Sequence, residues 1–186
     1  MKNQKISTKR IAMAGLLAAL TAVGSGLRIV IPVSIGGNSA FHLGNIFCAL
    51  SGILLGPGLG GLAAGLGSAI YDMTNPIYIS ECWITFLMKG AYGLAAGLTW
   101  KHLKISAYLR DLMATTAGAL TYAVLYLGKK YLETMIVGGV TASGAMVAVV
   151  SRLPATTFNM AVAIIIAPIL STAIRKALAL NHITLN

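Results

Sequence analysis

The sequence predicts an all-α membrane protein: a six-transmembrane-helix bundle with both the N- and C-termini cytoplasmic. Three observations carry this. Of 186 residues, 57% are hydrophobic and 10% charged, with a mean hydropathy of +0.82, whereas a soluble domain has about 25% charged residues. The apolar residues gather into runs, several long enough to cross a bilayer core of about 30 Å. The formal net charge of +10 comes from lysines and arginines that flank those runs and form no stripe with interleaved aromatics, so it reports lipid topology and not a nucleic-acid partner.

The first apolar run is 11–31, 21 residues broken only by Arg28 near its end. A signal peptide has an apolar region of about 7–15 residues and a cleavage site, and this run fits neither, so it is read as a retained helix. No charge occurs from Phe41 to Tyr71. Gly56-Pro57-Gly58 divides that stretch into helices two and three, 42–56 and 58–73, joined by a tight turn. Helix four is 82–100, with Lys89 near its middle; helix five is 108–130 and helix six 153–175. They form a single integral membrane domain over 1–186.

The segment 134–151 is uncharged for 18 residues and competes as a seventh span. With six helices, one side carries Lys2, Lys5, Lys9, Arg10, Lys101, Lys104, Arg110, Arg175 and Lys176, and the other only Arg28, Lys129, Lys130 and Arg152. A seventh span would carry Arg175 and Lys176 outside, against the positive-inside rule. Gly138, Gly139 and Gly144 also weaken a lipid-facing helix. We read 134–151 as an outer loop or half-inserted segment.

Glycines recur four apart at Gly52, Gly56 and Gly60, at Gly61 and Gly65, and at Gly93 and Gly97. Such spacing lets membrane helices pack backbone to backbone, so helices two, three and four are expected to form a tight group. Ala14, Ala18 and Ala22 make a similar smooth stripe on helix one, open to another helix, to lipid or to a second copy. No GxxxxGK[ST] occurs, so this chain alone cannot use ATP. Cys48 and Cys82 lie in apolar surroundings with no CxxC and no histidine at ligand spacing, so neither a disulfide nor a metal is expected.

The order of these motifs resembles a known family. The alanine stripe, the glycine-rich pair running from Leu43-Gly44-Asn45 through Leu55-Gly56-Pro57 to Gly60-Gly61-Leu62-Ala63-Ala64-Gly65-Leu66-Gly67-Ser68, then Tyr71-Asp72, and later Leu87-Met88-Lys89-Gly90-Ala91-Tyr92-Gly93-Leu94, are similar to the S component of an energy-coupling factor (ECF) transporter, in the riboflavin-type and uncharacterised subfamily. The resemblance covers nearly the whole chain. It implies a vitamin-capturing, multi-pass subunit of a prokaryotic plasma membrane, docked on an ECF transmembrane coupling subunit with two ATPase subunits. It also implies that the helix-one stripe, Ala14, Ala18 and Ala22, contacts that partner.

Polar groups in or bordering lipid are costly, so those of the outward half form the candidate substrate site. Asp72 and Glu81 bracket a short outer loop containing Asn75. Asp72 serves either a turn closed by its side chain or a ligand; Glu81 serves either a helix start capped by Ser80 or a ligand. Lys89, two turns into helix four, needs a partner inside the bundle: Asp72, which we favour, or a bound ligand. Arg28 reads as a snorkelling anchor. Asn38, His42, Asn45, Trp83, Tyr122, Tyr126, Thr156 and Asn159 complete the set. Singly, Trp83 and Tyr126 suit interface anchors; together these groups suit a flat heteroaromatic ring, stacked on its faces and read at its edge. The loop 32–40, with Gly36-Gly37-Asn38, is either a lid or a plain turn.

An acid at the rim suits a guanine-like queuosine precursor; riboflavin and other B vitamins follow in that order. No catalytic residue, metal or cofactor is expected. Two other classes stand beside the transporter subunit. A membrane enzyme of lipid or headgroup metabolism would need clustered carboxylates on the cytoplasmic side, where Asp111 is the clear acid. A homo-oligomeric channel would need a helix rich in charges or amides to line its pore.

Overall fold

A computed structural model describes residues 7–32 and 38–183. Ser7 opens the first helix, its hydroxyl accepting from the Arg10 amide at 3.4 Å, and α1 runs Thr8–Gly26. It stops short of the predicted end at residue 31. Residues Arg28–Pro32 form strand β1, paired antiparallel with β2, Asn38–His42, in the register Arg28↔His42 to Pro32↔Asn38. The apolar, β-branched Ile29-Val30-Ile31 reads equally well as a helix end or a strand by hydropathy. Pro32 and a return strand decide for the hairpin. The expected lid falls partly here: Asn38, Ser39 and Ala40 belong to β2, and residues 33–37 lie outside the described residues.

α2, Gly44–Leu55, is short and central, with ten of its twelve residues buried. It ends at Gly56, whose φ of 80° is the left-handed conformation glycine adopts without strain. Pro57 then starts α3, Pro57–Thr74, in the first-turn position where its missing N–H costs nothing. A 3₁₀ turn leads into α4, Cys82–His102, followed by α5, Ala107–Ile136. The segment 134–151 holds the last turn of α5, a turn with Gly139 at φ 61°, and a short helix α6, Ala142–Val150, capped by the Thr141 hydroxyl. At about 1.5 Å per residue α6 is too short to span a bilayer. It runs through a tight turn into α7, Leu153–Leu180. Among the described residues, Ala142–Leu180 is the helical stretch long and apolar enough by itself to cross a membrane.

The glycine spacing is used as packing. A Cβ on Gly93 would lie 2.8 Å from the Gly60 carbonyl oxygen; one on Gly65, 2.7 Å from that of Phe86; one on Gly61, 2.9 Å from that of Gly90. α3 and α4 therefore touch backbone to backbone, and α2 meets α4 the same way through Gly52. Gly93→Val is expected to lower stability by about 1–3 kcal/mol, the cost of overpacking. Gly58→Ala, where a Cβ meets open space, should leave the thermal midpoint unchanged or raised. Equal losses in both variants would contradict the close contact.

The alanine stripe of helix one turns inward. Ala18 is 9% exposed and joins the core, and a Cβ on Gly67 would strike its carbonyl oxygen. Ala14 packs against the same core, and Ala22 is half-buried. Small residues four apart do invite a close helix, and at Ala18 that helix is α3 of the same chain. The small residues of α1 that face outward are Ala12, Gly15 and Ala19.

Successive long helices alternate in direction, so the hairpin lies at one end and both Thr8 and Leu180 at the other. At that far end Asp111 is fully buried. Its carboxylate accepts from Arg175 Nη1 at 2.7 Å and Nη2 at 2.8 Å, and from Trp100 Nε1 at 2.8 Å. Arg110 stacks 3.9 Å from the Trp100 ring centroid. One carboxylate thus ties α4, α5 and α7.

Candidate functional site

At the hairpin end the helices diverge around a cavity of about 120 Å³. One water needs roughly 10–15 Å³, so this is room for a ligand and not a packing gap. Each wall comes from one face of one element. Ser25 lies in the last turn of α1 and Arg28 opens β1; Asn38, Ser39 and His42 belong to β2; Asn45 opens α2. Ser68 and Asp72 lie four apart on α3, Thr85 and Lys89 four apart on α4, and Tyr122 and Tyr126 four apart on α5, spacings that stack side chains on one helix face. Thr156 and Asn159 close the ring from the first turns of α7.

The β2 strand covers this space because α7 holds it. Asn159 Oδ1 accepts from the His42 amide at 2.9 Å, and its Nδ2 donates to the Ala40 carbonyl at 2.8 Å. Phe41 meets Phe158 edge-on, ring centroids 4.8 Å apart. The Leu43 amide donates to Gly24 O at 3.0 Å, fixing the other side to α1. The Asn159 amide is thereby spent on the cover. Burial, with Lys89 and Arg28 nearby, holds the His42 imidazole well below its ordinary range, so it is neutral at pH 7.

Lys89 is 3% exposed. Its ammonium donates to Asn45 Oδ1 and lies 3.7 Å from the Tyr122 ring centroid. The favoured pair with Asp72 does not form; Asp72 instead faces Thr85. An amide oxygen and a ring face hold it in place of an opposite charge. Tyr122 stacks on Tyr126 at 5.7 Å with planes 16° apart, and on Tyr92 at 6.2 Å, giving the cavity a flat aromatic wall.

Glu81 does not cap α4 with its side chain. It pairs with Lys129 at 2.5 Å and Lys130 at 3.5 Å, and both lysines also reach Glu133. Asn75 closes a turn, accepting from Ile77 N at 3.0 Å and donating to the Tyr71 hydroxyl at 3.3 Å, outside the cavity. Trp83 is 62% exposed on the outer face of α4 and does not line it. The cavity thus gathers ten of the twelve expected side chains and omits Asn75 and Trp83. It adds Arg28, Ser68, Tyr78, Thr85, Lys129 and Lys130, among others. Arg28 turns toward the cavity: its guanidinium lies 4.2 Å from the Tyr71 ring centroid and 4.9 Å from that of Tyr78. Ser68 and Thr85 lie one turn before Asp72 and Lys89 on the same helix faces, a spacing visible in the sequence.

A helical bundle that closes a polar, aromatic-walled cavity at one end, under a strand pinned by side chains, defines a small-ligand-binding subunit. Residues 5–176 match the family described as ECF-type riboflavin transporter, S component, and the chain belongs to that family. Its members are substrate-binding membrane subunits of ECF transporters and not enzymes. The chain is also 33% identical over 113 residues to a Pyrococcus woesei protein described as an uncharacterized protein in a gap 3′ region, the aligned part being 61% of this chain and 72% of that one.

Proposed function

We propose that this subunit captures a vitamin-like, flat heteroaromatic micronutrient from outside the cell. It delivers it through an ECF transmembrane coupling subunit energised by two ATPase subunits. The cavity beneath the β-hairpin, with stacked tyrosines on one wall and directional polar groups around it, is the observation that carries this reading. The family description names riboflavin, so a flavin ring, free or phosphorylated, leads the candidates. Of the two acids that a guanine-like base could use, Glu81 is engaged with two lysines and Asp72 remains in the cavity wall.

Large apolar side chains exposed on every long helix support a multi-pass bundle: Leu16 and Val23 on α1, Leu66 and Ile70 on α3, Leu87 and Leu94 on α4, Leu120 and Val124 on α5, Ile165 and Ile169 on α7. Lipid is the surrounding that favours such a surface. The end opposite the hairpin carries Lys9, Arg10, Lys101, Lys104, Arg110, Arg175 and Lys176. The positive-inside rule supports cytoplasmic termini and an outward-facing cavity.

For docking on the coupling subunit the outward face of α1, with Gly15 and Ala19, joins the half-buried Ala14 and Ala22, and the buried Ala18 drops out. Ala19→Trp and Gly15→Trp are expected to abolish co-purification with the coupling subunit and ATPases while leaving ligand affinity within about threefold. Ala18→Trp should instead lower the thermal midpoint, because its side chain enters the α1–α3 contact. Normal assembly by the Ala19 and Gly15 variants would remove this face from the interface.

A further inference from the structure

Within the capture reading above, the balance of charge around the cavity narrows the ligand. Its walls hold four cations, Arg28, Lys89, Lys129 and Lys130, and two acids, Asp72 and Glu81. Lys129 and Lys130 form a closed set with Glu81 and Glu133, two charges of each sign at 2.5–3.5 Å. Arg28 and Lys89 then face Asp72 alone, and neither forms an ion pair among the described residues.

Both are held by neutral partners. Lys89 has the Asn45 amide oxygen and the face of Tyr122. Arg28 has two tyrosine rings, and its Nε donates to the Ser25 carbonyl at 2.8 Å, while its two terminal nitrogens make no hydrogen bond among the described residues. Rings and amides orient a cation without cancelling its charge. A buried ammonium with no ion-pair partner in contact is costly, most of all in a bundle surrounded by lipid. A guanidinium held beside two rings, with its terminal nitrogens making no hydrogen bond among the described residues, keeps both available to grip a carboxylate or phosphate through two parallel bonds.

We propose that the ligand carries an anionic group, a carboxylate or phosphate, that enters the cavity as the counter-charge for Lys89 and Arg28 while its ring lies along Tyr122 and Tyr126. A cationic base would add to the local excess and is disfavoured.

The test uses matched probes on the purified full-length chain in detergent: riboflavin against riboflavin 5′-phosphate, nicotinamide against nicotinate, and pyridoxal against pyridoxal 5′-phosphate, by calorimetric titration. In any pair that binds, the anionic member is expected to bind at least 10-fold more tightly, and Arg28→Gln and Lys89→Met should each remove most of that preference. The phosphate and carboxylate pairs separate the two anion chemistries. Equal or tighter binding of the neutral member overturns the inference and leaves the capture reading standing. If none of the six binds, the charge of the small molecule retained on purification decides: an anion supports the inference, a neutral or cationic molecule overturns it. No retained molecule and no binding overturns the capture reading and this inference together.

Discussion

Asp111→Ala is expected to destabilise the fold by about 2–3 kcal/mol, the cost of losing charged hydrogen bonds around a buried carboxylate whose arginine partner is 29% exposed. The alanine leaves the Arg175 guanidinium without the carboxylate that both its terminal nitrogens grip, and leaves the Trp100 indole N–H without its acceptor. At about 2–4 °C per kcal/mol for a chain of this size, the thermal midpoint should fall by on the order of 10 °C. Asp111→Asn keeps an acceptor for Trp100 and loses the charge, so it should fall in between. The cavity lies at the other end of the bundle, and below the new midpoint ligand affinity should stay within about threefold. An Asp111→Ala chain with an unchanged midpoint would show that the contact does not tie α4, α5 and α7. The same geometry answers the membrane-enzyme reading, because the acid it needed is fully engaged with Arg175.

Lys89→Met is expected to weaken ligand binding by about 10–100-fold, corresponding to the loss of a charged hydrogen bond worth about 1.5–3 kcal/mol. Methionine matches the stem of lysine and removes a charge that is expensive to bury, and Asn45 loses a donor in the same step. The two effects oppose each other, so the thermal midpoint should shift by only a few degrees. That split between affinity and stability separates the two original roles of Lys89. A variant that binds normally but melts far lower would make Lys89 a strut and displace the ligand from it.

How much of this was legible follows from the range of each interaction. The glycine spacing at Gly61, Gly65, Gly93 and Gly97 announced the α3–α4 contact, because helix periodicity alone brings those residues to one face. The cavity was legible as polar residues in apolar surroundings, which is why Asn45, Asp72 and Lys89 stood out before their neighbours did. The β-hairpin was not: Ile29, Val30 and Ile31 have the hydropathy of a helix end, and pairing with β2 across residues 33–37 is a tertiary event. The direction of the alanine stripe was also hidden, since a small-residue face states that a helix comes close without stating which. Glu81 with Lys129 and Lys130, and Asp111 with Trp100 and Arg175, join residues far apart in the chain. No local pattern encodes them.

The most direct measurement of the capture reading is native mass spectrometry of the full-length chain, released gently from detergent, wild type beside Lys89→Met. The account predicts a monomeric subunit carrying one small molecule per chain, retained by the wild type and lost from the variant. A wild-type chain recovered only as a symmetric oligomer, with no bound small molecule and none taken up from a panel of vitamins, would contradict it.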